Sequence, residues 1–269
     1  MIDPHDTEMS FGDHLEALRP HLVRSFGMLI LLAIAAFCLK GFLVDVVIFG
    51  PTLPDFPTNL WLSRLGDAWG IEELKINSSP ITLINTSMAG QFNLHLKLSI
   101  MTAIIVGFPY LGWELWRFIK PALTERELRG CRFFVGWLSL GFFSGVAFGY
   151  FIIAPLAINF LTGYSVSSTI NNYIDISSYL STVVDISIAC AVVFQLPLLV
   201  YFLTKMGILS ASFMVRYRRH AFIALALLSA LITPPDVFSM VLILIPLYGL
   251  YEGSISLSKH VEKREANNP

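Results

Sequence analysis

Charge is what this 269-residue chain has least of: 14% of its residues are Asp, Glu, Lys or Arg, whereas 55% are hydrophobic. Soluble domains carry roughly 25% charged residues, so the chain cannot cover a globular surface with the charges it has. Three cysteines, Cys38, Cys131 and Cys190, are too few and too odd in number for a disulfide scaffold, and read as small buried hydrophobes within or beside apolar runs. A net charge of -1 excludes a nucleic-acid binder, and 21 Phe exclude a disordered chain. Catalytic signatures are missing too: no HExxH, GxSxG or P-loop, and no His and Cys at metal spacing. Neither an enzyme nor a bound metal or cofactor is therefore expected. Asp3, Asp6, Glu8, Asp13 and Glu16 give the start of the chain the wrong charge for a cleavable leader. An integral membrane protein is the class that survives.

What is present is long apolar runs. Residues 1–21 read as a cytoplasmic amphipathic segment, with a surface helix over 10–22 in which Phe11, Leu15, Leu18 and Leu22 recur at helical spacing behind the capping residue Ser10. Runs at 22–39, 93–119, 133–160 and 179–205 approach or exceed the ~20 residues that a ~30 Å hydrocarbon layer requires. Two shorter runs, 221–233 and 237–252, flank Pro234-Pro235-Asp236 and cover roughly 20–23 Å each. They either re-enter as a hairpin or cross a locally thinned bilayer, and crossing is the favoured reading. Between the runs lie links at 40–92, 120–132, 161–178 and 206–220, and a tail at 253–269. The first link holds Pro51, Pro54, Pro57, Trp61 and Trp69, and reads as a structured extramembrane loop whose Trp residues rest on the interface.

Fourteen of the eighteen basic residues fall on one side of this arrangement; Lys40, Arg64, Lys75 and Lys97 are the exceptions. The positive-inside rule then puts both termini in the cytoplasm, which requires an even number of spans, and six fits.

Ionisable and amide groups inside spans need a partner, a cavity or the interface. Lys97 and Asp185 lie near the outer ends of the second and fourth spans and could pair. Glu114, beside Trp113, Trp116 and Arg117, is expected to snorkel to the interface. Gln195, two residues before Pro197, is expected to bond a carbonyl freed by that proline, and Glu252 is a fourth intramembrane polar site. His14, His21 and His220 read as structural or surface residues. Pro109, Pro155, Pro197 and Pro246 would kink four spans and curve the bundle.

Several stretches together resemble the TatC family, the multispanning receptor component of the twin-arginine protein translocase. Phe11–Leu22 (FGDHLEALRPHL) resembles its N-terminal HLxELR motif. Trp116–Glu127 (WRFIKPALTERE) resembles its first cytoplasmic loop, with Phe118, Pro121 and Leu123 as the F-x-x-P-x-L core. VFQLP followed by KMGILS resembles the end of its fourth helix, and Leu231–Glu252 its TPPD hairpin and terminal helix. The resemblance implies an all-α membrane protein: six transmembrane helices in a curved, cup-like bundle, the last two short, both termini cytoplasmic.

It implies a subunit of the bacterial inner membrane that binds Arg-Arg signal peptides of folded cargo for proton-gradient-driven export. Implied partners are TatA- and TatB-type single-span subunits, further copies of the chain and the lipid bilayer. By position it points to His14, Arg19, Phe118, Pro121 and Glu127 as the signal-peptide site. Chemistry adds Glu16 and Glu125, because two guanidiniums need carboxylates with planar, bidentate geometry at the membrane border. The chain departs from the family at Ala17, where an acid is usual, and at Gln195, where Glu is frequent; an amide cannot change protonation. A small-solute or proton-coupled secondary transporter is the alternative, suggested by Lys97, Asp185 and Glu252.

Overall fold

The computed structural model describes residues 11–70, 81, 83–122, 133–167, 172–232 and 237–266. The described chain is almost wholly helical, and five helices are long and apolar enough to cross a membrane: Glu16–Cys38, Gly90–Ile119, Phe134–Gly163, Ile176–Lys205 and Met240–Lys263. The sixth crossing, Arg218–Ile232, has 15 residues, about 22 Å of helix.

Helix α1 (Phe11–Cys38) carries the amphipathic segment and the first span as one 28-residue helix with Pro20 inside it. Gly27 lies within the helix without the positive φ of a C-terminal cap, and Pro20, though it lacks a donor and crowds the carbonyl four residues earlier, does not end it. It packs on α3 (Gly90–Ile119), where Gly107 leaves room for Leu29 and Leu32. Much of α1 is otherwise uncovered, and Cys38 is exposed rather than buried, although Cys190 is buried.

The third span is α4 (Phe134–Phe148), a π-helical turn at Gly149–Ile153 and α5 (Ala154–Gly163). The fourth is α6 (Ile176–Val193) and α7 (Leu196–Lys205), separated by a turn at Phe194 and Gln195. These two spans meet backbone to backbone. A methyl group on Gly145 would stand 2.5 Å from the Ala191 Cα and 2.6 Å from the Cys190 carbonyl; one on Gly149 would stand 2.8 Å from the Ser187 Cα. Gly141, one turn earlier, faces the Phe194 carbonyl. Glycines at every fourth position make a small-residue stripe, which in lipid lets helices approach closely enough for dispersion to hold them.

The 40–92 link is a folded cap. A π-helix at Phe42–Ile48 and a 3₁₀ turn at Gly50–Thr52 lead into α2 (Pro57–Trp69). Tyr150 and Tyr179 donate to the Val47 and Ile48 carbonyls at 2.5 and 2.7 Å. Asn59, buried, donates to the Leu53 carbonyl at 2.8 Å. The Phe151 carbonyl lies four residues before Pro155, which has no N–H to offer it, and accepts the Thr58 hydroxyl. Two short parallel strands, β1 (Leu83–Ile84) and β2 (Ile174–Asp175), join the cap to the start of the fourth span.

The expectation that the last two helices are both short needs correcting. After α8 (Ala211–Arg216) and α9 (Arg218–Ile232), helix α10 runs from Val237 to Ala266, 30 residues. Its apolar half ends near Tyr251, but buried Ser254, Ile255, Ser258 and Val261 continue a helical stripe. Ile255 packs with Val200 and Met214, Ser258 bonds Thr204 at 3.0 Å, and Glu262 accepts the Ala211 N–H at 2.7 Å. Tertiary contact, not hydrophobicity alone, sustains its second half. The Thr233–Asp236 turn lies outside the described residues.

Candidate functional site

Helices α1 and α3 run antiparallel. Phe37 meets His95 at one end, with rings stacked at 3.9 Å, and His21 meets Glu114 at the other. The second meeting is the polar centre of this end of the bundle. His21 Nδ1 lies 2.5 Å from Glu114 Oε2, the Tyr110 hydroxyl donates to Oε1 at 3.1 Å, and Arg117 Nη1 is 3.6 Å away. Glu114 is 3% exposed, so it does not snorkel to the interface as expected. Trp113, 56% exposed, takes the outward direction, and the next residue, about 100° around the helix, turns toward α1.

Of the site residues proposed from the sequence, Phe118 touches this pair and the others described lie on the same two helix ends. Phe118, one turn beyond Glu114, is half-buried with its ring edge-on to His21 at 6.1 Å. Pro121 is exposed in the 3₁₀ turn Lys120–Ala122 that ends α3. Glu16 and Arg19 are exposed on α1, five and two residues before His21. The backbone of His14 belongs to α1, but its side chain, and the whole of Glu125 and Glu127, lie outside the described residues. His21 and Glu114 are the pair that sequence reasoning missed. Its signal was there: a His and a Glu at matching depth on consecutive spans.

The other intramembrane polar groups have partners of their own. Lys97 Nζ donates to Ser181 Oγ at 2.9 Å and lies 3.7 Å from Asp185 Oδ1, joining the second and fourth spans. Arg218 donates to Glu252 Oε2 at 2.7 Å, and the Tyr248 hydroxyl to Oε1 at 3.0 Å. Gln195 donates its N–H to the Val192 carbonyl and its side-chain amide to that of Ala191 at 3.2 Å. The side chain thus covers an acceptor that the turn before Pro197 takes from the regular ladder. Each charge that suggested a solute pathway therefore has a partner on another helix, although Asp185 stays exposed. Among the described residues no three His, Cys, Asp or Glu side chains lie close enough to hold a metal ion.

One acid outside the spans is strongly perturbed. Asp175 caps α6 by accepting the Ser177 N–H at 2.9 Å, and accepts the Thr86 hydroxyl and N–H at 2.7 and 3.2 Å. Those bonds, from Thr86 first, favour the ionised form and hold its carboxyl down at about 2.

Comparison with known proteins gives one answer. The sequence pattern of the family described as Sec-independent protein translocase protein (TatC) matches residues 13–246. The Sec-independent protein translocase protein TatC of Blattabacterium sp. subsp. Periplaneta americana is 36% identical over 260 residues, covering 96% of this chain and 98% of that one. Its counterpart in Deinococcus radiodurans is 31% identical over 249 residues, covering 92% and 84%. A crystal structure of the twin-arginine translocase receptor TatC superposes with a TM-score of 0.73 at 28% identity, covering 93% of this chain and 99% of that one. With five helices of membrane-crossing length among the described residues, the matching fold and the family pattern across most of its length, the chain belongs to the TatC family of Sec-independent protein translocase proteins.

Proposed function

We propose that this chain is the receptor subunit of its translocase, taking Arg-Arg signal peptides at the end of the bundle where α1 begins and α3 ends. The observation that supports the reading is the His21–Glu114 contact, with Phe118 edge-on to His21, between the α1 segment that carries Glu16 and Arg19 and the α3 end that leads to Pro121, in a protein of this family. Guanidinium groups bind carboxylates through two parallel hydrogen bonds, and their faces stack on aromatic rings. Glu16 and Glu127 supply carboxylates of that kind, and Phe118 an aromatic ring. The asymmetry of the basic residues supports a cytoplasmic position for this end and for both termini, and membership of the family supports a bacterial inner membrane. Single-span TatA- and TatB-type subunits and further copies of the chain complete the machine, which draws on the proton gradient. They share with lipid the exposed apolar flank of α1, including Leu22, Val23, Phe26 and Ile30.

Glu127→Ala tests the assignment. Export of a folded reporter with an Arg-Arg signal should stop while the variant accumulates in the membrane at the native level. Loss of the protein itself would make Glu127 a structural residue.

A further inference from the structure

We propose that His21 and Glu114 are the positioning pair of the signal-peptide site, setting how strictly an arginine pair is told from a lysine pair. The inference rests on the receptor reading above and adds two residues to it that touch no reacting or bound group themselves.

The argument starts from how α1 is held. Only 6% of the apolar window of Glu16–Cys38 is buried, and α3 is the helix against which α1 chiefly packs, so its angle is set by that one neighbour. Toward the signal-peptide end the contact is His21 with Glu114 and Phe118. Further along α1, Arg24 lies within electrostatic reach of Tyr110, and Leu29 packs over the Gly107 notch; His21 is the α1 residue that bonds Glu114 itself. The pair also joins the two halves of the proposed site. Glu16 and Arg19 ride on α1 just before His21, whereas Phe118 and Pro121 ride on α3 just after Glu114. Glu114 is locked in turn by the Tyr110 hydroxyl at 3.1 Å and by Arg117 at 3.6 Å. With its oxygens engaged and buried, the carboxylate acts as a strut rather than as a docking acceptor.

Specificity follows from that geometry. A lysine ammonium is a point charge that any nearby carboxylate attracts, whereas a guanidinium fork gains its second bond only if acceptor and ring stand in a fixed relation. Loosening α1 on α3 therefore removes the arginine preference before it removes binding.

The test is equilibrium binding of an Arg-Arg signal peptide and its Lys-Lys counterpart to the full chain in lipid nanodiscs, with thermal unfolding measured on the same samples. His21→Ala and Glu114→Gln should weaken the Arg-Arg peptide roughly tenfold, the scale of one lost charge-assisted hydrogen bond. The Lys-Lys peptide should be unaffected. His21→Gln, which keeps a donor for Glu114, should recover most of the preference. A native ratio of the two affinities in His21→Ala overturns the proposal. So does an equal loss for both peptides alongside a lowered unfolding temperature, which marks a purely structural contact. If the native chain binds both peptides alike, the receptor reading fails and the positioning pair with it. Should His21→Ala not accumulate, the Glu114→Gln and His21→Gln comparison decides by the same criteria.

Discussion

The first span and the third are built on opposite plans. In Phe134–Gly163, 44% of the apolar window is buried, against 6% in Glu16–Cys38. The third span is joined to the fourth by glycines whose added methyl groups would strike main-chain atoms. The first touches α3 through Leu29 and Leu32, flexible side chains 3.2 and 3.1 Å from a methyl placed on Gly107. The contrast separates an enclosed frame from a peripheral arm that packs chiefly along one neighbour. Segments that must accommodate a ligand are drawn from the weakly packed part of a fold, and the proposed signal-peptide residues Glu16 and Arg19 sit on the arm. His21 and Glu114 are the place where arm and frame are pinned together.

The largest effect should come from filling the frame. Gly145→Leu forces the third and fourth spans apart, because main chain cannot yield as a side chain can, at a cost of roughly 3 kcal/mol or more. The variant should fail to accumulate as folded protein in membranes; normal accumulation and unfolding temperature would contradict the backbone contact. Gly107→Ala is the matched change on the arm. Leu29 and Leu32 can turn aside, so about 1 kcal/mol is expected, with folding retained and increased exchange of amide hydrogens confined to α1. An effect as large as that of Gly145→Leu would erase the distinction between the two regions.

Within the cap, Tyr179→Phe leaves the Ile48 carbonyl without its donor and should cost about 1 kcal/mol of unfolding free energy. The smallest effect concerns Asp175. Its carboxyl is held near 2, below the ordinary 3.8, so its contribution is fully present above the ordinary value and drains away as pH falls from about 4 to about 2. Unfolding temperature should decline across that window in the native chain, and the decline should shrink in Asp175→Asn. An unchanged profile would mean that the cap does not depend on this charge.

Much of the fold could be read from the sequence because apolar run length reports directly on the solvent a helix crosses. What escaped were relations between runs. The Gly141, Gly145 and Gly149 stripe is visible as GxxxGxxxG, but its meaning depends on which helix lies opposite. Glu114 gave no sign of whether it faced interface or neighbour until its depth was matched to that of His21. The second half of α10 looked like a tail because its residues are polar on average, and only the buried Ser254, Ile255, Ser258 and Val261 stripe shows why it stays helical. The pairing of β1 with β2 was invisible, since two-residue strands carry no periodicity. Of the proposed site, Phe118, Pro121 and Arg19 were found by motif and Glu16 by its chemistry, whereas the contact between their helices needed the three-dimensional packing.

The central claim, that this end of the bundle reads an arginine pair, is tested most directly by a photo-crosslinker placed beside Glu127 in the intact translocase. Capture of an Arg-Arg signal peptide, lost when its two arginines are changed to lysines, is the predicted result. Equal capture of both peptides would contradict it.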